Sequence, residues 1–217
     1  MTYHCYPIVC SARTPFVGVS GSIVSVGISW ISHEFGLASD PKNLLDAHVV
    51  LSDGRVVWAS EEPDLLWALR GGGGNFGGML FIPIEPILER TYNGIVVIEF
   101  KLKCHPYAKP IYAGFIMYPS SAVDEISKRV AEFVKRPDPK IALHVFIGDM
   151  EGNALNGEAP KPTICLFVFD AHGEEHGRGD AGFKWVLNIT GATDTTSVMS
   201  YREVNQLQGN THSKEVT

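Results

Sequence analysis

The chain has 217 residues, 45% hydrophobic and 19% charged, a composition that builds one large or two small folded domains and excludes a disordered polymer. Its formal net charge is -6 and no clustered Lys/Arg stripe occurs, which argues against a general affinity for nucleic acid. No apolar run reaches the length needed to span a bilayer, so no membrane partner is expected.

Cys5, Cys10, Cys104 and Cys165 are few and scattered, with neither zinc spacing nor a disulfide framework. A Cys5–Cys10 bridge is open, but free thiols are the preferred reading. Residues 1–15 lack the basic-then-apolar layout of a signal peptide. Either the protein is cytoplasmic, or its true beginning lies elsewhere.

In chain order, residues 18–40 mix Gly and Ser with Ile and Val and read as short strand and loop. Two β-branched runs then flank Asp53-Gly54, a pair suited to the positive φ angles of a hairpin turn. A short helix is expected next. Glu61, Glu62 and Asp64 load its first turn, Pro63 suits an early position, and Gly71 to Gly74 end it. Residues 95–102 read as a strand that Cys104-His105-Pro106 closes. Beyond it, 111–118 reads as a strand. Residues 121–134 are amphipathic, with Val123, Ile126, Val130 and Phe133 on one face. Residues 141–147, 162–169 and 183–189 read as further strands. The expected class is α+β, with an antiparallel sheet and a packed helix in the second half. The boundary falls between His105 and Pro110, and residues 209–217 are a loose tail.

Gly72-Gly73-Gly74-Asn75-Phe76-Gly77 matches G-x-G-x-x-G. A helix precedes it where a dinucleotide fold needs a strand, and no Lys-Ser/Thr follows, so neither a Rossmann nor a nucleotide-triphosphate loop is expected. Four glycines exceed what a helix stop needs. Backbone without side chains can approach a flat or phosphorylated ligand closely, which points to a cofactor.

The residues around this loop carry a specific resemblance. Phe35-Gly36-Leu37-Ala38-Ser39-Asp40, Asn43-Leu44-Leu45-Asp46-Ala47, Val50-Leu51-Ser52-Asp53-Gly54-Arg55-Val56 and the run Pro63 to Gly77 occur in that order. Together they resemble the second half of the FAD domain of berberine-bridge-type oxidases, in the vanillyl-alcohol-oxidase, PCMH-type FAD-binding superfamily. Phe100-Lys101-Leu102 with His105-Pro106, Tyr112 to Pro119, and Met199 to Asn205 extend the likeness more weakly.

The resemblance implies a partial PCMH-type FAD-binding domain at 1–105, followed by an antiparallel-sheet-plus-helix substrate domain at 106–208. It implies a FAD-linked oxidoreductase that takes a hydride from a small organic metabolite, with flavin doing the hard chemistry. It places Gly27, Ser29, Gly36, Asp40, Asn75, Phe76 and Gly77 against FAD. It assigns no catalytic residue, because the family's covalent histidine, phosphate loop and catalytic carboxylate or tyrosine match nothing here. Two departures stand out. Ser25-Val26-Gly27 replaces three successive glycines, and residues 78–94 resemble an insertion. Two rival readings remain: a truncated, non-catalytic relative, and a flavoprotein-derived cyclase.

His172 and His176 gather with three carboxylates in Asp170-Ala171-His172-Gly173-Glu174-Glu175-His176. The neighbouring glycines disfavour a helix, so this stretch is expected to be a solvated loop rather than a metal site. His48 and His144 are expected as core or edge histidines. His33 is a conceivable cofactor contact. Trp67 and Phe76 could border a ring system, although aromatics on a short helix are more often core. Oligomeric state is left open.

Overall fold

A computed structural model describes residues 6–73, 96–107, 110–149, 157, 159 and 162–209. The chain divides into two compact units, Tyr6–Tyr107 and residues 108–217 with the first five residues.

In the first unit, β2 (Leu44–Val50) is central between β3 (Val56–Trp58) and β4 (Val96–Leu102), all antiparallel. The expected hairpin forms. Leu51 N–H donates to Arg55 O, and Gly54 takes φ 85, which glycine reaches without steric cost. A β-bulge between Leu44 and Asp46 sets two residues against one on β4. It turns Leu45 outward and Asp46 inward. There the Asp46 carboxylate accepts from Ala47 N, Ser60 N and Ser60 Oγ at 2.9, 3.1 and 2.8 Å. Burial alone would raise the Asp46 pKa, but these bonds outweigh it and hold it below the ordinary value.

Residues 18–40 contain two helices rather than strand: α1 (Val19–Val24) and α2 (Ser32–Phe35). Ile23 and Val24 of α1 bury against Leu44 with Phe100 and Leu102, so tertiary packing overrides β-branched propensity. A second small core joins Ala47, Val49, Ala59 and Leu69. The helix after the hairpin, α3, runs Leu65–Gly72 and no acidic residue lies in its first turn. Glu61 instead ends a 3-10 turn and accepts from Trp58 N–H, while Glu62 pairs with Arg55. Strand β1 (Tyr6–Ile8) pairs with β5 (His105–Tyr107), so the chain re-enters a strand where Cys104-His105-Pro106 was expected to end one.

The second unit is one antiparallel sheet in the order β10-β6-β8-β7, with β9 also on β6. Its strands are β6 (Ile111–Pro119), β7 (Ile141–Gly148), β8 (Thr163–Asp170), β9 (Thr193–Asp194) and β10 (Ser197–Met199). Gly114 lets Thr195–Thr196 cross close to β6, since a Cβ there would meet Thr196 Cα at 2.7 Å. Tyr112, Ile116, Tyr118, Ile164, Leu166 and Val168 line the face under α4 (Val123–Phe133). Ile126, Val130 and Phe133 supply the helix side as expected, whereas Val123 is exposed. Cys165, Phe167 and Phe169 on the opposite face of β8 are buried too, so that strand reads as a continuous apolar run.

The run 183–189 is a helix, α6 (Lys184–Leu187), and not a strand. Phe183, Val186 and Ile189 are buried at three-residue spacing. A short apolar run cannot be told from a strand by periodicity alone. Residues 174–177 also form one helical turn, α5 (Glu174–Gly177), despite the adjacent glycines. The last described helix, α7 (Tyr201–Gln206), opens on a capping box in which Ser200 and Glu203 satisfy each other's backbone N–H groups.

Candidate functional site

Four of the seven residues expected against a cofactor lie on one loop. The bond from Ala38 N–H to Gly27 O, at 2.9 Å, draws its two arms together and sets Gly27 and Ser29 beside the Gly36–Asp40 turn. Asn75, Phe76 and Gly77, like residues 78–94 and Gly74, lie outside the described residues.

Each described position has a local cause. Gly27 donates to Ser22 O at 2.7 Å, and a Cβ there would meet that same oxygen at 2.6 Å. Gly36 follows α2 at φ 84 and leaves room for the Asp40 carboxylate and the Lys42 stem. Asp40 Oδ2 accepts from Leu37 N–H at 2.9 Å. Ser29 donates its N–H to Ser32 Oγ at 2.9 Å, and their hydroxyls lie 3.2 Å apart. Burial raises the Cys10 thiol pKa, with a hydrogen bond to Ser29 opposing it. Ser29 and Asp40 therefore shape the loop, and their side chains are already engaged.

Asn43 holds the turn in place. Its Nδ2 donates to Phe35 O at 2.8 Å and to Leu37 O at 2.7 Å. With both amide hydrogens spent, Oδ1 accepts from His105 Nε2 at 2.9 Å. The His105 ring stacks on Phe35 with centroids 4.0 Å apart. Burial lowers the His105 pKa below its ordinary value, and the Lys103 and Lys42 charges add to that against Glu34. Neither Asn43 nor His105 was singled out for this role in the sequence. Asn43 was visible at the head of the Asn43-Leu44-Leu45-Asp46-Ala47 block, but its partner lies 62 residues away.

The glycine run has two causes within the protein. Gly71 sits at φ 106 where α3 departs from helical geometry, and a Cβ on Gly73 would meet Val24 Cγ2 at 2.5 Å. Close packing of the end of α3 on α1 thus accounts for part of a run that exceeded a helix stop and had pointed to a cofactor. Arg70 returns to β2, donating from Nε and Nη2 to Leu44 O.

Val26 is strained. It takes φ 61 as a β-branched residue, in a region open to glycine. This is where the resembling family carries glycine, so the structure gives a backbone reason for that residue type. Trp67 is 76% exposed and not a core residue. His48 stacks on Trp58 and His144 meets Phe146 edge-on, both on strands. Cys10, Cys104 and Cys165 are free thiols. No described helix is long and apolar enough to cross a membrane.

Gly27 and Gly36 leave the loop without side chains at two positions, the residue type that close approach of a flat cofactor to main chain requires. No protein-family model matches the chain. Over 203 residues, 93% of its length, it is 30% identical to (R)-6-hydroxynicotine oxidase of Paenarthrobacter nicotinovorans. A crystal structure of 6-hydroxy-D-nicotine oxidase from Arthrobacter nicotinovorans superposes on 96% of the chain with TM-score 0.74 and 25% identity. Berberine bridge enzyme of Eschscholzia californica shares the fold over 94% of the chain, with TM-score 0.66 and 18% identity.

The fold is the mixed, antiparallel-sheet fold of berberine-bridge-type, PCMH-type FAD-binding proteins. The homologues of this chain are FAD-linked oxidoreductases of that family. The chain spans 39% of the length of the hydroxynicotine oxidase and 41% of the solved one.

Proposed function

We propose that this chain is part of a FAD-dependent oxidase of a small organic molecule. The observation that carries this reading is similarity to (R)-6-hydroxynicotine oxidase across 93% of the chain, through both compact units. When bound, the flavin supplies the two-electron acceptor for a hydride leaving a substrate carbon.

The chain's own residues bind and orient. Gly27 and Gly36 add no side chain to the loop, and Asn75, Phe76 and Gly77, beyond the described residues, are proposed as further flavin contacts. Ser29 and Asp40 hold the loop's shape through Ser32 Oγ and Leu37 N–H. Asn43 and His105 fix the turn from behind. The sheet of residues 110–209, packed under α4, is read as the substrate-binding side. No residue here is assigned to proton transfer.

The test is a titration of the expressed chain with FAD, followed by visible absorption and flavin fluorescence after desalting. Retained flavin bands with a saturable fluorescence change are expected. A folded chain that leaves FAD free overturns the reading. Val26→Gly sharpens it: removing a β-branched residue from the left-handed region relieves about 1 kcal/mol of strain. The variant should melt higher and bind FAD at least as tightly. A lower Tm with unchanged FAD affinity would show that Val26 is not the strained point of the loop.

A further inference from the structure

The geometry points to a divalent-cation site, unrelated to flavin, built by Asp138, His172 and His176. The pairing of β7 with β8 creates it. Ile141 lies opposite Asp170, and Ala171 N–H donates to Lys140 O at 2.9 Å. Asp138, three residues before Ile141, therefore meets His172, two residues after Asp170. The turn of α5 then brings His176 back, leaving the two imidazole centroids 4.3 Å apart.

One donor atom from each of the three residues lies within 4.8 Å of the others. His172 Nε2 and Asp138 Oδ2 are 3.1 Å apart. Two ligands about 2.1 Å from a tetrahedral zinc sit roughly 3.4 Å from each other. That pair needs almost no movement. The widest gap must close by about 1.4 Å at the ligand lengths of zinc, within reach of side chains about one-third exposed.

A second observation separates this cluster from two surface ion pairs. Asp170 is fully buried, and its Oδ2 accepts from His176 Nδ1 at 2.7 Å while Oδ1 accepts from His172 N–H at 2.9 Å. A buried carboxylate on one imidazole nitrogen fixes the tautomer, orients the ring and leaves the other nitrogen as a donor of its lone pair. This is the carboxylate–histidine arrangement found behind metal-bound histidines. Two imidazoles and one carboxylate suit zinc, cobalt, nickel or copper rather than magnesium or calcium, which take oxygen ligands. Three protein ligands at an exposed position leave the remainder of the coordination sphere to water. The sequence pattern had been read as a solvated loop because its glycines disfavour a helix. One helical turn is enough to converge the ligands, and Asp138 comes from a distant segment.

Cobalt is the probe, because its visible bands report coordination. Titration of the full chain with Co2+ should give one equivalent of bound ion, intensified visible bands and a raised Tm, with Zn2+ displacing the colour. His172→Ala removes an exposed side chain and should weaken binding at least 100-fold while the apo protein keeps its Tm. Asp170→Asn should weaken it 10- to 100-fold with the ligands in place. A cobalt spectrum like that of the free aquo ion in the wild-type chain overturns the proposal. So does wild-type cobalt affinity retained in both His172→Ala and His176→Ala. Flavin binding is read separately and does not enter either outcome.

Discussion

The two compact units are held by different means. Residues 110–209 share one continuous apolar core in which three strands and two helices interlock. The described residues of 6–107 carry two smaller apolar clusters, and between them the side chains of Asn43, Asp46 and Arg70 hydrogen-bond to backbone of neighbouring segments. Apolar burial is non-directional and tolerates small displacements, whereas a hydrogen bond is lost within a few tenths of an ångström. The first device suits a rigid floor. The second suits a loop whose main chain must be held in one shape to meet a ligand.

The largest expected effect lies in the core of the second unit. Phe183 is fully buried and its ring lies 5.3 Å from that of Phe133. Phe183→Ala should cost about 3–5 kcal/mol, from lost transfer energy plus the cavity left behind. Urea unfolding measures the loss, and amide exchange locates it. Exchange should accelerate across 110–209 with little change in 6–73. Equal acceleration in both would break the comparison. Next in size is Asn43→Ala, which removes three hydrogen bonds, taking the side-chain donor from Phe35 O and the acceptor from the His105 N–H, while Leu37 O keeps Asp40 N–H. About 2–3 kcal/mol is expected from unsatisfied, largely buried groups. Its exchange signature should sit at 35–44, the reverse of the first variant. FAD affinity should fall with it, whereas Phe183→Ala should leave that loop intact.

The same division decides what was legible in the sequence. The amphipathic stretch at α4 follows directly from apolar periodicity, and the strands β6, β7 and β8 from apolar, β-branched and aromatic runs of strand length. The hairpin follows from Asp53-Gly54, and the ordered blocks from Phe35 to Gly77 carried the family. Elements fixed by tertiary context were missed. Ile23 and Val24 look like strand residues but form a helix because Leu44 and Phe100 cover them. Phe183, Val186 and Ile189 form a helical face too short to declare its period. At the site, loop glycines were visible as a residue type, but their causes were not. Only coordinates show that Gly73 abuts Val24, that Val26 is strained, or that Asn43 reaches His105.

The smallest expected effect is a pH dependence in the first unit. His105 has its pKa lowered, chiefly by burial and then by Lys103 and Lys42. Its unfolded value is about 6.5, so the unfolded chain binds this proton first as the pH falls. The stability linked to neutral His105 is therefore complete above about pH 6.5 and lost as the pH drops through the depressed folded value. Asp46, Asp138 and Asp194 also have lowered pKa values, through hydrogen bonds that outweigh their burial. Their contributions persist until the pH falls below about 4, the ordinary carboxylate value. Between pH 7 and 5 the loss linked to His105 should thus appear at the Asn43 turn. His105→Gln retains a donor toward Asn43 Oδ1 while removing the titration, so its stability should be flatter across that range. An unchanged slope in this variant would assign the pH dependence to another group and remove His105 as the pin that distinguishes the two units.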